Sequence, residues 1–305
     1  MPRSVLALDY PNRPVHIIVG FTPGGPTDIF ARLIGQWLSD HLGQSFVVEN
    51  RPGAGSTIGV EAVASAPPDG YTLLLASTSA VISSLFYPHL SYDLARDITP
   101  VSGVVDTPLV MVVNPSVPSA SVPEFIAYAK DNPAKIVMAS VGNGTTPQLA
   151  GELFKMMANV DLLHVPYRGA APALTDLIAG RAQVMFESMS TLVQYIKTGK
   201  LRALAVSTAK RSPVFPDLPS IGEFLPGYQA SVWFGVAAPK RTPSDIVALL
   251  NKEINAALTD AAFNAKLQDL GGSALKGSPA EFEKLFAGDS EKWAKVIKTA
   301  NIKPD

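Results

Sequence analysis

Val15-His16-Ile17-Ile18-Val19-Gly20-Phe21-Thr22-Pro23-Gly24-Gly25-Pro26-Thr27-Asp28 is the stretch on which the fold turns. Its first six residues are a short β-branched run, which suits a strand. A Pro/Gly turn follows, and then Ile29, Phe30, Leu33, Ile34, Trp37 and Leu38 recur at helical spacing. Strand, glycine turn, helix is the unit of a parallel α/β sheet. Ligands of such sheets lie outside the carboxyl ends of the strands. Two glycines let the backbone approach a ligand, and the helix start offers free N–H groups and a positive dipole end. That suits a carboxylate or a phosphate. A plain βα turn with Asp28 as a helix-start charge fits the same residues.

The unit repeats along the chain. Ser45–Glu49 and Tyr71–Ala76 read as strands, with a helix near Thr57–Ala66 between them. A β-rich stretch covers Ile98–Asn114, and Ser121-Val122-Pro123-Glu124 is a capping box opening a helix. Ile136–Ser140, Leu162–Val165, Gln183–Phe186 and Leu201–Ser207 read as further strands. The intervening helices run through about Met157, over Ala170–Ile178 and over Ser190–Ile196. Ser212–Gly227 is irregular and proline-rich, then Ala230–Ala238 is a strand. Two closing helices are announced by Thr242-Pro243-Ser244-Asp245 and Ser278-Pro279-Ala280-Glu281, both expected to carry good N-caps. A tail with one strand and two helices is too small for its own core, so it must return to the first βα set. Two lobes are expected, 1–115 with 226–305 and 116–225, joined by two crossings that make a hinge over a cleft.

Composition agrees and excludes. The chain has 305 residues, 47% hydrophobic and 17% charged, which is enough for two domains with sizeable cores. A net charge of −1 with no basic stripe argues against nucleic acid or anionic membrane as partners. The absence of cysteine removes disulfides, thiolate metal sites and cysteine nucleophiles. Met1 to Pro14 holds no apolar leader, so either the protein is cytosolic or a signal peptide has been removed.

The other strand ends carry small residues and hydroxyls. Gly53-Ala54-Gly55-Ser56-Thr57-Ile58-Gly59 has the wrong spacing for a dinucleotide fingerprint, and Tyr71–Ala76 ends on Ser77 rather than an acid. It reads as a tight turn with close helix packing. Ser77-Thr78-Ser79 and Ser140-Val141-Gly142-Asn143-Gly144-Thr145-Thr146 recur at the same end of successive strands and would form a cage of neutral donors. Tyr167 could stack or donate its hydroxyl, and Arg168 could pair with a carboxylate or be solvated. Glu187 at a strand end would repel an anion; it could bond a neighbouring loop, the favoured role, or meet an ammonium group on the ligand. No Walker loop, G-x-S-x-G elbow or HExxH is present, and the four histidines show no ligand spacing. No enzyme and no cofactor are expected.

Six blocks together carry a family pattern. They are Val19-Gly20-Phe21 with Pro23-Gly24-Gly25 and Asp28; Val48-Glu49-Asn50-Arg51-Pro52-Gly53-Ala54-Gly55; Pro68-Asp69-Gly70-Tyr71-Thr72-Leu73-Leu74; His164-Val165-Pro166-Tyr167-Arg168-Gly169; Phe215-Pro216-Asp217-Leu218-Pro219-Ser220; and Trp233-Phe234-Gly235. In order over nearly the whole chain, they resemble the substrate-binding proteins of tripartite tricarboxylate transporters, also called Bug proteins. The resemblance implies a type II periplasmic binding protein with a mostly parallel sheet in each lobe and a Venus-flytrap closure. It implies a monomer in the periplasm that captures a small carboxylate, mostly a dicarboxylate, and hands it to membrane permease subunits. Carried over residue by residue, it marks Phe21, Thr22, Pro23, Gly25, Thr27, Asp28, Ser77, Ser79, Ser140, Gly142, Gly144, Thr145, Tyr167, Gly169, Ala170, Phe186, Glu187 and Trp233 as ligand-binding. This chain departs from the family at Pro147-Gln148, where Ser-His is frequent, and at Glu187, where aspartate is. An amino acid or nicotinate-like ligand, a ligand-sensing domain and an α/β enzyme are the competing readings.

Overall fold

The computed structural model describes residues 9–87, 89–212, 215–299 and 302. The leader reading of residues 1–8, two residues of the proline-rich stretch and the last residues of the outer lobe boundary lie outside the described residues.

The chain opens β1 (Val15–Val19), α1 (Pro26–Leu42), β2 (Phe46–Asn50), α2 (Thr57–Ala64), β3 (Thr72–Ser77), α3 (Thr78–Phe86) and a short α4 (Leu94–Asp97). A 16-residue strand, β4 (Ile98–Val113), follows. Next come α5 (Val122–Asp131), β5 (Val137–Ser140), α6 (Thr146–Ala158), β6 (Leu163–Pro166), α7 (Ala170–Ile178), β7 (Val184–Ser188), α8 (Met189–Lys197) and β8 (Arg202–Val206). The chain closes with β9 (Ser231–Pro239), α9 (Ser244–Ala257), α10 (Ala261–Asp269), β10 (Ser273–Ala274) and α11 (Pro279–Thr299).

Strands β2, β1 and β3 pair in parallel. Next to them β9 is inserted antiparallel between β3 and the first part of β4, with β10 on the far side of β4. The second sheet has β6, β5 and β7 in parallel, and the last part of β4 lies antiparallel between β7 and β8. Each sheet is therefore mostly parallel in strand direction, with a strand run against it where the chain changes sheets. This is the α/β periplasmic binding protein fold.

β4 belongs to both sheets. Its pairing with β9 ends at Pro108↔Ser231, and its pairing with β7 begins at Leu109↔Ser188. Its 16 residues are nearly all buried, which fits a strand covered on both faces. The returning segment is pinned there by Ser207. Its backbone exchanges bonds with Leu109 and Ala230, and its hydroxyl accepts the Leu109 N–H at 3.0 Å while donating to the Ala230 carbonyl.

The tail differs from its reading. It holds three helices and an extra two-residue strand. α10 was missed because it is only weakly amphipathic, burying Phe263 and Leu267 alone. The Thr242 cap is also corrected: α9 starts on Pro243 with no side-chain cap, because the Thr242 hydroxyl donates to the Pro239 carbonyl. Ser278 and Glu281 do form a capping box for α11. The GxGxxxG turn is close packing: a Cβ on Gly59 would lie 2.8 Å from the Gly20 Cα.

Candidate functional site

Five strand-to-helix junctions meet at one narrow pocket. α1 brings Gly25, Pro26 and Thr27; α3 brings Ser77 and Ser79; α6 brings Pro147; α7 brings Ala170; and α8 brings Ser188. Phe21, Leu109, Val141, Glu187, Val232 and Phe234 complete the wall. None of the lining residues is Lys, Arg or His.

All five helices lack a side-chain N-cap. By contrast α4, α5 and α10, away from the pocket, are capped by Asp93, Ser121 and Asp260. Since α2 and α9 are uncapped too, the observation is the convergence of five starts on one cavity. Each leaves N–H groups without an intrahelical partner and a partial positive charge. Together they make the pocket receptive to an anion without any buried cation.

The loop of α1 is held from behind. The buried Asp28 carboxylate accepts the Gly24 N–H at 3.0 Å, two guanidinium N–H groups of Arg32 at 2.9 Å each, and the Asn50 amide at 3.0 Å. Asn50 also donates to the Phe21 carbonyl. Burial pushes the Asp28 acid up, but these hydrogen bonds outweigh it and hold it below the ordinary range. Asp28 thus shapes the turn and does not line the pocket.

The second-sheet loop is similarly self-satisfied. The Thr145 hydroxyl donates to the Gly142 carbonyl at 2.6 Å, and Ser140 Oγ bonds His164 Nε2 at 2.7 Å. The Gly144 N–H donates to Gln148 Oε1 at 2.7 Å. The cage of hydroxyls is therefore corrected in part: Ser140 and Thr145 use theirs locally, and the α6 start is what reaches the pocket. Tyr167 donates its hydroxyl to Asp176 at 2.8 Å.

The two sets of loops touch. Ser79 Oγ accepts the Thr146 N–H, and Ser83 Oγ lies 2.8 Å from the Gly144 carbonyl. A Cβ on Gly169 would lie 2.2 Å from Thr22 Oγ1, so the backbone there admits no larger residue.

Of the residues marked in the sequence, Phe21, Gly25, Thr27, Ser77, Ser79, Ala170 and Glu187 come together in the pocket. Gly142 and Tyr167 instead line a neighbouring, larger opening with Arg168, which shares Phe21 and Val141 with the pocket. Thr22, Pro23, Asp28, Ser140, Gly144, Thr145, Gly169, Phe186 and Trp233 lie outside the lining. Phe186 packs on Phe154 in the core. Trp233 points to the opposite face of β9, against Phe282 and Phe286, with its indole N–H on Asp289. Its neighbours Val232 and Phe234 face the pocket. The strand's period of two was the signal that could have found them. Of the residues that depart from the family pattern, Pro147 and Glu187 line the pocket and Gln148 does not.

Glu187 is buried at 1% exposure. Its Oε1 accepts the Ser188 N–H at 2.7 Å, and its Oε2 has no hydrogen-bond partner among the described residues. The expected tie to a neighbouring loop is absent, because that one bond goes to the next residue. Burial pushes its acid up to about 8, only partly opposed by the Ser188 N–H. No group of acids and histidines able to hold a metal occurs among the described residues.

Such a fold, with a pocket at the strand ends, is that of a solute receptor. The model of the tripartite tricarboxylate transporter family receptor matches residues 30–302, and the chain belongs to that family. These are solute-binding receptors of tripartite transporters, not enzymes. Protein BugT of Bordetella pertussis is 38% identical over 302 residues, 98% of this chain and 93% of its own length. An R. palustris protein solved with adipate superposes with a TM-score of 0.95 at 39% identity, covering 97% of this chain and 100% of that one. MatC from Rhodopseudomonas palustris, solved with bound malate, gives 0.89 at 32% identity, covering 94% and 100%. No helix among the described residues is long and apolar enough to cross a membrane.

Proposed function

We propose that this receptor captures a small dicarboxylate in the pocket lined by Phe21, Gly25, Thr27, Ser77, Ser79, Ala170 and Glu187, and delivers it in the periplasm to the permease subunits of its transporter. The observation that carries this reading is the convergence of five uncapped helix starts on a cavity lined by no cation. Helix N-termini favour a carboxylate. Neutral donors also avoid the desolvation penalty of a buried ion pair. Adipate and malate in the two structural relatives support the class of ligand.

The two sheets act in this reading as two lobes of a monomer, 1–115 with 226–305 and 116–225, that close on the ligand. The crossings at Pro108–Leu109 and Ser207–Ala230 serve as the hinge. The ligand stabilises closure through contacts it makes only in the closed state. Calorimetric titration of the purified protein with C4–C8 dicarboxylates, citrate and aromatic diacids tests this. Saturable binding of at least one is expected, and no response across the series rejects the dicarboxylate assignment.

A further inference from the structure

Glu187 stands apart from the rest of the pocket. It is an acid in a wall of otherwise neutral residues, and its Oε2 is buried without a partner among the described residues. Burying a polar atom without a hydrogen bond is unfavourable by about 1–3 kcal/mol. An orphan of this kind at a ligand wall points to a bond completed by the ligand. The question is which proton sits between them.

The surroundings answer it. β4 and β9 present Leu109, Val232 and Phe234 around the pocket. α6 and α7 present Pro147 and Ala170. α1, α3 and α8 add hydroxyls and helix starts, and none of these elements puts a second titratable or charged side chain in the lining. With no cation to pair it, an ionised Glu187 would be favoured only by the Ser188 N–H. A bound anion would oppose that ionisation further, because two like charges a few ångströms apart do not both stay ionised. Its pKa, raised by burial, agrees.

We propose that Glu187 works as a neutral carboxylic acid whose Oε2–H donates a hydrogen bond to one carboxylate of the bound solute. The inference rests on the dicarboxylate reading and makes that reading specific. The helix starts hold one carboxylate, and Glu187 and the second carboxylate share one proton. The receptor then takes up its ligand only together with a proton at this position. Solutes bringing an ammonium group to Glu187 would be disfavoured, since they need the ionised form.

The closing experiment has a ligand-free arm and a ligand arm. The first is the infrared difference spectrum of wild type minus Glu187→Gln near neutral pH without ligand. A protonated-carboxyl C=O band is expected, and it should fade as pH rises above about 8. The second is calorimetry with the C4–C8 dicarboxylates between about pH 6.5 and 9.5. Wild-type affinity should fall about tenfold per pH unit above the apparent pKa of the acid, with proton uptake on binding in that range. Glu187→Gln keeps an N–H donor, so it should bind several-fold more weakly at neutral pH and show no such pH dependence. Glu187→Met has no donor and should bind more weakly still. Saturable binding with no C=O band, or with a wild-type affinity independent of pH, overturns the proposal and leaves dicarboxylate capture standing. A C=O band with no dicarboxylate binding overturns both.

Discussion

Ser79 Oγ accepts the backbone N–H of Thr146 at 3.1 Å, and its hydroxyl lies 3.2 Å from Thr146 Oγ1. The first residue of α6, beside the second sheet, is thus held by a side chain from α3, beside the first. Both residues are buried. The bond joins the two halves of the pocket wall across 67 residues of chain.

Ser79→Ala leaves the Thr146 N–H buried without its partner. Loss of such a bond is worth about 1 kcal/mol. Dicarboxylate affinity should drop about three- to tenfold, with a similar loss in unfolding free energy. Titration calorimetry and urea unfolding read the two effects.

Gly169→Ala sets a methyl group against Thr22 Oγ1. Thr22 is β-branched and cannot swing its hydroxyl away freely. The two loops should be forced apart, with affinity lowered more than about tenfold. Thr22→Ala in the same chain removes the clashing atom and should recover much of the loss. This double-mutant cycle reports the contact itself.

Asp106 and Asp28 give pH effects of opposite sign. Burial, and then the nearby Asp289, push Asp106 up to about 6, against Lys292. The folded protein therefore keeps a proton that the unfolded chain releases, and stability from this group falls as pH rises from about 4 to 6. Asp28 is held low, so its contribution is present above the ordinary carboxylate range and lost as pH falls through its folded pKa. Asp106→Asn should stabilise the protein by about 1–3 kcal/mol near pH 7.5 and by little near pH 4. Asp28→Asn should destabilise it by about 1–3 kcal/mol at neutral pH. Urea unfolding at both pH values checks the signs.

Trp233→Phe separates packing from binding. The ring faces Phe282 and Phe286, and its N–H bonds Asp289. Removing that donor leaves the half-buried Asp289 carboxylate short of a partner, at a cost of about 1–3 kcal/mol. The melting temperature should fall, while affinity stays within about twofold. A large affinity loss with unchanged melting would instead put Trp233 at the ligand.

Much of this was legible in the sequence. The βα rhythm placed α7 over Ala170–Ile178 to the residue, and it marked the strand-end loops that reach the pocket. Facing was harder. The resemblance marks Trp233, whereas Val232 and Phe234 line the pocket; strand parity here is fixed by pairing with β3 and β4, far away in the chain. Hydroxyl donors were chosen at Ser140 and Thr145, whose use by His164 and Gly142 depends on the fold of the loop. The state of Glu187 was hidden for the same reason. Its burial is made by β4, β9 and helix starts from both sheets, and local sequence carries no trace of it.

The five uncapped helix starts have a thermodynamic consequence. A missing N-cap typically weakens a protein by about 1 kcal/mol. The protein carries several such uncapped starts in one place, and that of α6 is met only from outside its helix, by Ser79 at the Thr146 N–H. A bound carboxylate would act as a shared capping group supplied from outside the chain. Capture would then repair the fold, and the melting temperature would itself report how well a solute completes the missing caps.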